Sequence, residues 1–199
     1  MSNPLEREDE RLRLFVAIDL PEDVREALRR LQTDLCRDDL PGLRWTRPEG
    51  VHLTLKFLGE TPATSLAAIE GALARAVRGV PAFRLALGAP GTFGGRRGPR
   101  VLWVDVEGEL PPLQRPQAAA ERELVAVGFA PEEREFSPHL TLARVPQPPP
   151  PGLAERLSRA LTAVATPQGE FRATELLLMR SRLQPDGAVY SRVAAFPLG

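Results

Sequence analysis

The chain has 199 residues, 43% of them hydrophobic, and its 26 basic residues balance 26 acidic ones. That is enough apolar material for a core without staples, and a net charge of zero excludes a global field that draws in nucleic acid, so any basic site is local. The single cysteine, Cys36, excludes an intramolecular disulfide and a cysteine-built metal centre; it is expected in a core or on a helix.

Residues 1–10 read as a frayed polar tail, and 11–199 as a single bilobal domain. The tail has no signal-peptide pattern and no apolar run approaches membrane-spanning length, so a cytoplasmic protein with no membrane contact is expected. Arg13 to Leu20 reads as a central strand. Pro21, Glu22 and Asp23 open a helix in which Val24, Leu28, Leu31 and Leu35 recur at helical spacing. A short strand is expected at 43–45, a turn at 48–50, and a strand at 51–58. A helix follows to about Arg78, then a strand over 83–87 and a glycine-rich basic loop over 91–100. A strand over 101–106 and a helix over 110–127 come next, then a strand over 136–144 and a proline-rich link over 146–151. A helix over 153–164 precedes strands over 171–182 and 188–196, joined by a turn at 184–187. Trp45 and Trp103 fall in apolar strands and are expected in the core. The order is that of an α+β protein of two related lobes.

The chain has two histidines, His52 and His139, and each opens the tetrapeptide His-Leu-Thr-Leu. Meeting Leu-Thr-Leu after a given histidine by chance is about a 1 in 1,000 event at ordinary usage. They lie 87 positions apart (139 − 52), the spacing of a duplicated lobe. On a strand, alternate side chains share a face. His52 and Thr54 therefore point one way and Leu53 and Leu55 the other, and the second copy repeats this with His139, Thr141, Leu140 and Leu142. A pseudo-twofold axis would bring two imidazoles and two hydroxyls into one cleft. One imidazole can be protonated while the other is neutral near neutral pH, and hydroxyls can donate to anionic oxygens. An acid, a base and two donors suit hydrolysis of a phosphodiester. Two histidines make a poor zinc site, which needs at least three protein ligands. A lone histidine on a strand is more often structural; the duplication overrides that reading.

These residues resemble the 2H phosphoesterase superfamily, which is defined by paired His-x-Thr-x motifs. The flanks, Leu14-Phe15-Val16-Ala17-Ile18-Asp19-Leu20-Pro21, His52-Leu53-Thr54-Leu55-Lys56-Phe57-Leu58-Gly59, Pro138-His139-Leu140-Thr141-Leu142-Ala143-Arg144 and Phe196-Pro197-Leu198, are similar to its RNA 2',3'-cyclic phosphodiesterase branch, long called 2'-5' RNA ligases. The resemblance implies two pseudo-symmetric α+β lobes whose antiparallel sheets line a central cleft, with helices on the outside. It implies a substrate of RNA or nucleotide ending in a 2',3'-cyclic phosphate, opened to a 2'-phosphomonoester. His52 would be the proton donor and His139 the proton acceptor, with Thr54 and Thr141 on the phosphate oxygens. No cofactor and no metal would be needed. A monomer is expected. In reverse, a 5'-hydroxyl in place of water would give a 2'-5' linkage.

Further candidates stand around the motifs. Lys56, the chain's one lysine, shares the parity of His52 and Thr54 and could hold phosphate. Arg134 could neutralise phosphate and Phe136 stack a base. Arg144 has the opposite parity to His139 and reaches the cleft only if the strand has ended. Arg96, Arg97 and Arg100 could follow an RNA backbone. Two competing readings are a module that captures phosphate ends without turnover, and a different two-histidine chemistry on another cyclic phosphate.

Overall fold

A computed structural model describes residues 10–38, 40–95, 98–184 and 187–199. Most of the expected tail, Arg96, Arg97, Pro185 and Asp186 lie outside the described residues. The strands are β1 (Arg11–Ile18), β2 (Arg44–Trp45), β3 (Leu53–Pro62), β4 (Phe83–Gly95), β5 (Gly98–Gly108), β6 (His139–Arg144), β7 (Glu170–Ala173), β8 (Glu175–Gln184) and β9 (Gly187–Pro197). The helices are α1 (Glu22–Leu35), α2 (Leu66–Ala76), α3 (Leu110–Ala126) and α4 (Leu153–Ala163).

The strands form one sheet in the order β7-β4-β5-β6-β3-β1-β8-β9, with β2 on β6, and every pairing is antiparallel. Its two halves meet where β3 pairs with β6, at the single pair Leu53–Leu140. Both leucines belong to the repeated tetrapeptide. Opposed residues of an antiparallel pair share a face, so this register sends His52, Thr54, His139 and Thr141 to the same side.

The registers repeat as well. In one half Ile18 opposes Leu53, Ala17 opposes Thr54 and Val16 opposes Lys56. In the other, Val104 opposes Leu140, Trp103 opposes Thr141 and Leu102 opposes Ala143. Each half is a strand, a helix and a histidine strand: β1-α1-β3 and β5-α3-β6. A later strand of each unit crosses over, since β4 pairs with β5 and β8 with β1. The lobes are therefore exchanged rather than separate along the chain.

One hydrophobic cluster takes in the inward faces of all four helices, alternate residues of β1, and Leu53, Leu55, Leu140 and Leu142. The helices thus cover one face of the sheet and leave the histidine face open. In α1, acids at Glu22 and Asp23 begin the helix and Val24, Leu28, Leu31 and Leu35 are fully covered.

Two expectations change. The basic stretch 91–100 is not a loop: β4 and β5 continue as a hairpin to Gly95 and from Gly98. Its glycines serve close approach. A Cβ at Gly94 would sit 2.4 Å from the Gly98 carbonyl oxygen, and one at Gly91 would sit 2.6 Å from the Trp103 ring. The strand expected over 171–182 is two strands, because at Thr174 the chain passes from one half of the sheet to the other. Cys36 lies at the C-terminal cap of α1 and is exposed, so of the two expected placements, core or helix, it takes the helix one.

Candidate active site

His52 Nδ1 lies 2.8 Å from the Gly50 carbonyl oxygen, and His139 Nδ1 lies 2.8 Å from that of Ser137. A carbonyl can only accept, so each Nδ1 carries the hydrogen. Each Nε2 is then the nitrogen left to take or give a proton. The same residue offset, back to the carbonyl two positions earlier, fixes the same tautomer at both sites.

The ring neighbours differ. His52 stacks on Phe15, with centroids 4.6 Å apart, and receives the edge of Tyr190 at 5.0 Å. His139 stands edge-on to Phe93 at 4.8 Å, and Phe93 lies 4.9 Å from Trp103. Trp103 opposes Thr141 on the open face, so it belongs to the cleft wall and not to the core. Trp45 does pack against the core. These rings escaped the sequence reading, although Phe15 and Trp103 sit on the open-face parity of strands already recognised, Ile18-Asp19 and Val104-Asp105 being matched ends of the repeat.

The turn before His52 is held by a buried arginine. Arg25 Nη1, from α1, donates to the carbonyls of Pro48 at 3.0 Å, Glu49 at 3.0 Å and Val51 at 3.2 Å, and its Nη2 pairs with Asp19. Burial pushes the His52 imidazole below its ordinary value; the Gly50 carbonyl and the Asp19 charge oppose that, and the Arg25 charge adds to it.

A bulge follows each threonine. Ala17 opposes Thr54 while Val16 opposes Lys56, so Leu55 is an extra residue; Leu142 is likewise extra between Thr141 and Ala143. The Leu142 carbonyl is taken up by the Thr46 amide at 2.8 Å and Gln32 Nε2 at 3.2 Å. Each bulge reverses the alternation beyond it. Lys56 therefore turns away from the cleft: it is 4% exposed, its Nζ lies 2.7 Å from Glu121 Oε2 on α3, and it donates to the Ala130 carbonyl at 2.9 Å. The expectation that it faces the phosphate with His52 is corrected by that bulge. The same reversal brings Arg144 and Phe57 out to the cleft at equivalent places, Arg144 opposing Val101 and Phe57 opposing Phe15.

A cavity of about 320 Å³ is lined by His52, Thr54, Thr141, Arg144, Phe57 and Tyr190 among others. Phe136 instead packs against the core, and Arg134 is exposed in the segment before β6 and is not among the residues lining this cavity. Among the described residues no three His, Cys, Asp or Glu side chains come together in the manner of a metal site, and no helix is long and apolar enough to cross a membrane.

A family model of the 2'-5' RNA ligase superfamily matches residues 20–185. An RNA 2',3'-cyclic phosphodiesterase of Methanothermobacter thermautotrophicus is 34% identical over 190 residues, covering 94% of this chain and 100% of that protein. One from Thermus thermophilus is 35% identical over 191 residues, covering 94% and 90%. Among solved structures, Thermus thermophilus TT0787 superposes with a TM-score of 0.72 at 33% identity, covering 94% of this chain and 98% of that one. Escherichia coli LigT complexed with 3'-AMP superposes with a TM-score of 0.74 at 27% identity, covering 95% and 99%.

Proposed function

The chain belongs to the 2'-5' RNA ligase superfamily, and from that membership we propose that it opens 2',3'-cyclic phosphate ends of RNA or nucleotides to 2'-phosphomonoesters, with two histidines as acid and base and no metal. The observation that carries the reading is the paired Nδ1–carbonyl bond, 2.8 Å at each histidine, on one open sheet face. His139 Nε2 takes a proton from water. The water oxygen bonds to phosphorus, the bond from phosphorus to the 3' oxygen breaks, and His52 Nε2 gives its proton to that oxygen. Thr54 and Thr141 donate to the non-bridging oxygens, and Arg144 adds a fixed positive charge beside them. The Phe57 ring, 61% exposed, offers a nucleobase a face to stack on.

An acid must begin with its proton, whereas burial in the cleft pushes the His52 imidazole toward neutrality. An anionic phosphate at Nε2 acts in the opposite sense, so substrate itself promotes the protonated form. A 5'-hydroxyl in place of water, attacking the same phosphorus while the 3' oxygen leaves and takes the proton, gives 2'-5' joining. The test is incubation with 2',3'-cyclic AMP and identification of the product. His52→Ala and His139→Ala are each expected to lose about 10²-fold or more in kcat, and wild-type activity is expected to survive a chelator. Full activity in either variant sinks the acid–base assignment, and release of the 3'-phosphate would reverse the roles of the two oxygens.

A further inference from the structure

We propose that the open face of β1, β8 and β9 carries the RNA strand upstream of the cyclic end; the proposal rests on the reading of the histidine cleft given above. The cavity that holds His52 and Thr54 does not end at Tyr190. It continues over Arg13, Ser181, Leu183 and Ala188. The registers explain why these residues share one floor. Phe15 opposes Met179 and Arg13 opposes Ser181, while Ser181 opposes Tyr190 and Leu183 opposes Ala188. Leu12, Leu14 and Val16, the intervening residues of β1, belong to the helix-covered core.

The chemistry along this floor changes in order. At the cleft end stands a three-ring cluster, Phe15, His52 and Tyr190. In the middle Arg13 is exposed and makes no ion pair among the described residues. At the far end Leu183 is an apolar side chain 73% exposed among the described residues. Rings and apolar surface accept base faces, and an arginine with a hydroxyl beside it accepts phosphate; together they are what single-stranded RNA meets on an open sheet. Continuity with the cleft selects the strand attached to the cyclic end. From Met179 to Leu183 the floor runs about 13 Å at ~3.3 Å per residue, room for up to about four stacked nucleotides.

The test compares 2',3'-cyclic AMP with a tetranucleotide bearing a 2',3'-cyclic end. Wild-type protein is expected to show a kcat/KM about 10-fold higher for the tetranucleotide, with the gain shrinking as salt is raised. Arg13→Ala combined with Leu183→Ser is expected to leave the mononucleotide value unchanged and bring the tetranucleotide down to it, and Arg13→Lys to keep most of the gain. A double variant that keeps the full preference overturns the proposal, as does a wild type with none. Should the double variant slow on both substrates alike, the wild-type length series decides: rates that rise to about four nucleotides and level off support the proposal, and rates flat with length overturn it. Hydrolysis of neither substrate by wild type overturns the reading of the cleft instead.

Discussion

Arg25 donates to the carbonyls of Pro48, Glu49 and Val51, which surround the Gly50 carbonyl that fixes His52. It acts on the histidine through that turn. With its charge gone, one cause of the low His52 value disappears and Asp19 is left uncompensated; both push the imidazole upward. Two histidines give two resolvable ring signals in NMR, and His139→Ala assigns them. His52 in the free protein is expected to titrate below 6.5, its ordinary value, to move up when inorganic phosphate is added, and to move up in Arg25→Met. Arg25→Lys should recover part of the shift. An Arg25→Met protein with a lower Tm and an unmoved His52 midpoint would make Arg25 structural only. The sign carries over to stability. Below 6.5 the unfolded chain binds the proton before the folded one does. The contribution of neutral His52 is therefore complete above that value and is lost as pH falls through the window down to the folded midpoint.

At the scale of elements, Lys56 shows where strand alternation stops being readable. The parity of 52, 54 and 56 is plain in the sequence, but a bulge at Leu55 leaves no mark in a hydrophobic pattern, because Leu55 is buried with or without it. The repeated motif, the strands and the two histidine–threonine pairs could all be read from spacing. The outward turn of Phe57 and Arg144 could not, nor could the aromatic walls, which depend on which strands become neighbours. The bulge makes Lys56 a tie rather than a ligand: it joins β3 to Glu121 of α3 and to Ala130, and the Glu132 amide donates to Glu121 at 2.8 Å. That network anchors the segment leading to His139. Lys56→Met strands a carboxylate that is 22% exposed, so the loss is set at about 2–3 kcal/mol, under the 3–5 of a fully buried pair, or a Tm lower by roughly 4–12 °C. Lys56→Met with Glu121→Leu should return most of it. A phosphate ligand would behave otherwise, with KM raised and Tm unchanged.

For the whole molecule, the exchange of strands matters more than the twofold likeness of the halves. A duplicated sequence suggests two lobes that could each fold alone. Here β4 leaves the first unit to pair with β5, and β8 leaves the second to pair with β1. Each half of the sheet thus needs strands from both units. The cluster of buried side chains also runs without interruption from Val24 and Leu28 of α1 through Leu53 and Leu140 to Leu113 of α3 and Leu157 of α4. The histidine strands touch directly at one residue pair, too little by itself to couple two independent bodies, since one cross-strand pair contributes roughly 0.2–1 kcal/mol. Coupling comes instead from the exchanged strands and the shared core. Unfolding is accordingly expected as one transition, with the calorimetric enthalpy equal to the van't Hoff value. Leu140→Ala, a truncation at the junction costing about 2–5 kcal/mol, should move that single transition down without splitting it. Two resolved transitions, in the wild type or in Leu140→Ala, would show instead that the halves fold as separate units and that the cleft between them is free to open.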